Sequence, residues 1–95
     1  MSWIKIVDKE DKKRYIKKVK NRSVEVVMLK SNNSYLRRQA KNNEYLIEYT
    51  VTEDFPDGRR LRVYEKYYFR KTKESAKRKF KDVLRKIDKH IFSQM

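Results

Sequence analysis

The single proline and the single glycine of this chain stand two residues apart, in Asp54-Phe55-Pro56-Asp57-Gly58, and the sequence alternates on both sides of them. Before the turn, Tyr45, Ile47, Tyr49 and Val51 interleave with Leu46, Glu48, Thr50 and Thr52. After it, Leu61, Val63, Tyr67 and Phe69, interrupted by Glu65, interleave with Arg60, Arg62, Tyr64, Lys66, Tyr68 and Arg70. A period of two is that of a strand with one face buried. Proline pre-sets one backbone angle of a turn, and glycine supplies the positive φ that a tight reversal needs. The segment therefore predicts a β-hairpin, with strands at about 44 to 53 and 60 to 70, and the fold has to be built around it.

The remaining elements are read from the same kind of spacing. After the plausible N-cap Thr72, the residues Ala76, Phe80, Val83, Leu84, Ile87 and Ile91 recur at steps of three and four. They form the apolar stripe of a long C-terminal helix, whose other side shows Arg78, Lys81, Arg85 and Lys89. Val24, Val26, Val27, Met28 and Leu29 form a β-branched run that reads as a buried strand at 24 to 30. From Asp8 to Lys20 the chain is almost wholly charged, with Tyr15, Ile16 and Val19 at the spacing of a narrow helical stripe. This predicts an N-terminal helix capped by Asp8, with Glu10 and Asp11 at the positive end of its dipole. Ser31 to Asn43 reads as a polar connection. The expected fold is α+β: an N-terminal helix, a three-stranded antiparallel sheet and a long C-terminal helix on one sheet face, all in one domain over 1–95.

Charge speaks to partners. The 95 residues hold 27 Lys and Arg against 13 Asp and Glu, a net charge of +14. Like charge of this density opposes compaction unless a polyanion screens it. Nucleic acid is the foremost such partner, because cations that replace counterions along its phosphates release them. An acidic protein or an anionic membrane surface fits the same charge. A disordered basic tail fits less well, since 38% of residues are hydrophobic and 13% aromatic. Without cysteine there is no disulfide and no thiolate metal site, which fits an intracellular setting. No apolar run has the length of a bilayer span, and Met1 to Val7 lack the uninterrupted apolar region of a secretory signal. The expected location is cytoplasmic or nucleoid-associated.

Three clusters are candidates for phosphate contact. The first is the strand face bearing Arg60, Arg62, Tyr64, Lys66, Tyr68 and Arg70, where cations meet phosphates and rings stack on bases or bond backbone oxygens. A solvated sheet face would read the same way. The second is the helix start, with Lys71, Lys73, Lys77 and Arg78 beside the free N–H groups of a helix N-terminus. An ordinary capped helix with an exposed lysine face is its alternative. The third, Arg37 and Arg38 in the polar connection, is as easily a solvated loop.

Catalysis finds little in the sequence. His90 is the only histidine and sits beside the apolar stripe, so packing explains it. Glu53, Asp54 and Asp57 cluster at the hairpin tip and could hold a hard cation, although turn chemistry accounts for Asp57. The pattern Pro56-Asp57 followed by Glu65-Lys66 resembles a nuclease arrangement, but adjacent strand residues point to opposite faces. One glycine excludes any glycine-rich phosphate loop. No cofactor or metal is expected.

From Glu44 to about Lys86 the chain resembles the arm-site DNA-binding domain of phage and transposon tyrosine recombinases. The resemblance lies in Pro56-Asp57-Gly58-Arg59-Arg60 at the turn, in Phe69, and in Thr72-Lys73-Glu74-Ser75-Ala76 opening the helix. One extra residue stands between Phe69 and Thr72, and no recombinase catalytic domain accompanies the pattern. The resemblance implies a three-stranded sheet laid in a DNA groove, with Arg60, Arg62, Tyr64 and Lys66 at the DNA; Arg59 at the turn is a further candidate contact. A second likeness is to double-stranded-RNA-binding domains, in which Lys71, Lys73, Lys77 and Arg78 would take the place of the basic residues opening the last helix. That family's glycine pair is missing here. The expected function is non-catalytic nucleic-acid binding, duplex DNA ahead of RNA, as an accessory factor of a phage or other mobile element. The competing expectation is a small protein-binding regulator whose basic surface docks an acidic partner.

Overall fold

The computed structural model describes residues 3–30 and 44–89. Five strands, β1 (Ile4–Asp8), β2 (Lys13–Val19), β3 (Arg22–Lys30), β4 (Tyr45–Asp54) and β5 (Arg60–Arg70), form one antiparallel meander in the order β1-β2-β3-β4-β5. One helix, α1 (Lys73–Ile87), follows and packs on one face of it.

The expected N-terminal helix and three-stranded sheet are thus corrected. Residues 8 to 20 form a strand end, a turn and β2, and the sheet has five strands. The alternation in β2 is Lys13, Tyr15, Lys17, Val19, and two lysines hide it from a hydrophobic reading. Lys17 faces the helix side and is only 7% exposed. Its ammonium pairs with Asp88 just beyond α1 and lies 5.5 Å from the centre of the Trp3 ring. A long lysine stem covers apolar surface while its charged head keeps a partner. From Arg22 onward the three expected strands appear with boundaries displaced by two residues at most, and the covering helix appears over Lys73–Ile87, with Ile91 of its expected stripe outside the described residues.

The core is the layer between α1 and the sheet. Tyr15, Val24, Val26, Met28, Tyr45, Ile47 and Val51 from β2, β3 and β4 meet Ala76, Phe80, Val83 and Ile87 from the helix. Thr72 caps α1 by accepting the Ser75 N–H at 3.2 Å, Glu74 stands in the first turn, and Arg85 and Lys86 stand in the last, as the helix dipole favours. In the β4–β5 turn the Gly58 N–H donates to the Phe55 carbonyl at 3.0 Å, and Gly58 takes φ 90°, which a side chain would strain.

Candidate nucleic-acid interface

A β-bulge divides the strand that carries the first candidate cluster. Val51 lies opposite Tyr64 but Thr52 lies opposite Arg62, so Val63 is an extra residue in β5. Beyond the bulge the faces exchange. Tyr64, Lys66, Tyr68 and Arg70 share the helix side with Val51, Tyr49, Ile47 and Tyr45, while Arg60 and Arg62 share the open side with Asp54 and Thr52. The six residues expected on one face are split, and four of them lie on the face that α1 partly covers. Only Arg60 and Arg62 occupy the open side, as a groove-lying sheet would require. A regular period of two, counted through an irregular strand, put them together.

The open face is balanced in charge. Across the strands it carries Arg14, Lys18, Arg60 and Arg62 against Glu25, Glu48, Asp54 and Glu65. Most of these are engaged with each other. Arg14 meets Glu25 at 3.0 Å, Arg60 meets Asp54 at 2.7 Å, and Arg62 meets Glu65 at 2.8 Å. The Arg62 hydrogen bond, then that of Tyr67, holds the Glu65 carboxyl below the usual carboxylate range. Glu48 goes the other way, raised first by burial and then by Glu65 and Glu25 despite the attraction of Arg62. A shallow depression of about 400 Å³ on this face is lined by both signs, including Arg14, Glu25, Arg60 and Arg62. Arg14 and Lys18 escape a reading that takes residues 8 to 20 as helix.

The helix side is different. From residue 73 to 89 there are eight Lys or Arg against three Asp or Glu. Buried Ala76, Phe80, Val83 and Ile87 fix the direction of α1, and the opposite line is Glu74, Arg78, Lys81 and Arg85, all exposed. Arg78 and Lys81 make no ion pair among the described residues, and neither does exposed Lys71 just before the cap. Asp82 gathers Lys79, Arg85 and Lys86 at 3.2 to 3.9 Å, and the Lys86 contact chiefly lowers its carboxyl. At the helix start, Lys77 and Lys73 reach Glu10 of the β1–β2 turn at 2.8 and 3.7 Å. Half of that second candidate cluster therefore shares one carboxylate within the chain.

The remaining candidates fall as follows. Arg59 lies in the β4–β5 turn with its guanidinium on Asp57 at 2.6 Å and 5.5 Å from the centre of the Phe55 ring. Arg70 donates to the Phe69 carbonyl at 2.7 Å. Lys66 and Lys79 lie 5.3 and 4.0 Å from the centre of the Tyr68 ring. Arg37, Arg38 and His90 lie outside the described residues. Glu65 and Lys66 are on opposite faces. Among the described residues no three of His, Cys, Asp and Glu converge as a metal site, and no helix is long and apolar enough to cross a membrane. No protein-family model, curated protein or solved structure matches the chain.

Proposed function

We propose that the chain is a non-catalytic nucleic-acid-binding protein that meets phosphates with the outer ridge of α1 and the adjoining Lys71. The observation that carries this reading is the uneven distribution of charge. Among the described residues the open sheet face holds as many anions as cations, whereas the ridge keeps Arg78 and Lys81 without an ion-pair partner. Unpaired cations contribute the counterion release that dominates phosphate binding, and cations already engaged by carboxylates contribute less.

Successive ridge positions are three or four residues apart, so Arg78 to Arg85 spans about 10 Å at 1.5 Å per residue. Those cations stand on a rigid element, at a separation that several phosphates of a duplex fall within. Duplex DNA is the first ligand to test. Mobility shifts with matched duplex DNA, duplex RNA and single strands, repeated from about 50 to 200 mM salt, should show affinity falling steeply, with a slope near −0.9 per phosphate on B-DNA. Absence of binding to all of them, or binding indifferent to salt, overturns the proposal. A complex recovered from lysate that survives nuclease digestion would point instead to an acidic protein partner.

A further inference from the structure

On the helix side, α1 leaves one corner of the sheet uncovered, where β4 and β5 run toward their turn. Leu61, Val63 and Tyr64 are 47%, 46% and 45% exposed there, while Tyr49 and Tyr68 nearer the helix are half-buried. Three tyrosines form a stack in this corner. The Tyr49 ring lies between Tyr64 at 5.2 Å and Tyr68 at 6.5 Å, with interplanar angles of 27° and 16°. The Tyr68 end is occupied by the ammonium groups of Lys79 and Lys66. At the Tyr64 end lies a depression of about 450 Å³ lined by Arg22, Tyr49, Val51, Val63 and Tyr64. Small-molecule sites have volumes of this order. The bulge creates it, because Val63 and Tyr64 both line this side.

Resting on the nucleic-acid reading above, we propose that this corner seats an unpaired nucleobase on the exposed end of the tyrosine stack, with Arg22 at the adjoining phosphate. The occupant is planar because an aromatic stack that ends in an exposed ring is continued best by another flat π-system. It is attached to an anion because Arg22 lines the depression, and its ion pair with Glu53 is loose at 3.8 Å, leaving the guanidinium able to reach a phosphate. It is unpaired because a base inside a duplex is already stacked on both faces, and only a splayed or single-stranded base offers one to a ring. An apolar side chain of a protein partner would fill the volume without using Arg22.

The test uses the full chain and a short single strand carrying one central 2-aminopurine, with a duplex of the same sequence alongside. Stacking on Tyr64 should quench the 2-aminopurine emission. Tyr64→Ala should abolish the quench and weaken single-strand binding roughly 5- to 150-fold, the range for removal of one stacking ring. Tyr64→Phe keeps the ring and should keep both. Duplex affinity should be the same in all three proteins, which also shows that the exposed substitutions leave the fold intact. If duplex binds but the strand binds without quenching, or Tyr64→Ala binds it as well as the parent, the inference falls and the ridge reading stands. Equal losses in Tyr64→Phe and Tyr64→Ala would replace stacking by a hydroxyl contact and overturn it too. If neither strand nor duplex binds, the nucleic-acid reading fails and takes the inference with it.

Discussion

Phe80 is 2% exposed and meets the Tyr15 ring edge-on, with centroids 4.9 Å apart at 84°. Burial, then the hydrogen bond from its hydroxyl to Asp8, pushes the Tyr15 phenol up to about 12. Phe80→Ala leaves a void between helix and sheet and should cost about 3 to 5 kcal/mol, read from denaturant or thermal unfolding. That is a large share of the roughly 5 to 15 kcal/mol typical of a native domain. Glu10 behaves differently because it is exposed. Its hydrogen bond with Lys77 holds the carboxyl below the ordinary value, so the stabilisation is present above the unfolded pKa and fades as pH falls through the folded one. Glu10→Gln should melt slightly below the parent at about pH 7, and the gap should close as pH falls through the depressed pKa of Glu10. The same substitution frees Lys77 and Lys73, so nucleic-acid binding should tighten, and the gain should shrink as salt rises. Unchanged binding would mean that the helix start lies away from the phosphates.

At the scale of elements, the bulge at Val63 decides which side chains share a surface. Because Tyr64 already pairs with Val51 and Arg62 with Thr52, deleting Val63 joins two correctly phased halves of β5 into a regular ladder. The deletion variant should fold and unfold cooperatively, with β5 amides at least as protected from hydrogen exchange as in the parent. Loss of the fold would show that the extra residue is needed for more than local twist. The bulge also marks the limit of what the sequence discloses. Tyr45 to Val51 alternate cleanly and α1 keeps a three-and-four stripe, so both were legible. Nothing between Arg60 and Tyr64 announces an inserted residue, since none of them is Gly, Asn or Pro. Likewise β2 was illegible because its inward positions include Lys13 and Lys17, whose partners Asp8 and Asp88 lie outside the strand. Spacing reveals an element only while inward positions are apolar, and here tertiary ion pairs let lysines face inward. The Tyr49 and Arg22 of the tyrosine corner were missed for a related reason: cross-strand neighbours depend on register, which a single strand's pattern does not contain.

For the whole molecule, among the described residues, the open side of the sheet pairs most of its charges while α1 turns the unpaired Arg78 and Lys81 to solvent on the other, and this asymmetry yields a direct contrast. Arg78→Ala and Lys81→Ala remove exposed, unpaired charges from one line of α1, and Arg85→Ala removes a third that Asp82 approaches only at 3.9 Å. Arg60→Ala and Arg62→Ala remove charges from the open face that already hold Asp54 and Glu65. Each ridge substitution that loses a phosphate contact should weaken duplex DNA and lower the slope of log K against log salt by about 0.9. Thermal melts should barely move, because exposed charges contribute little to stability. The open-face substitutions should have a smaller effect of a distinct kind. Each frees a carboxylate as well as removing a cation, shifting the overall field by one charge without deleting a direct contact, so affinity falls slightly at low salt while the slope is retained. A triple ridge variant that binds as the parent does, beside open-face variants that lose their salt slope, would move the phosphate surface to the sheet. The tyrosine corner gives a third reference point, because it lies on the helix side but away from the ridge. Its variants should discriminate single strand from duplex, whereas ridge variants should weaken both.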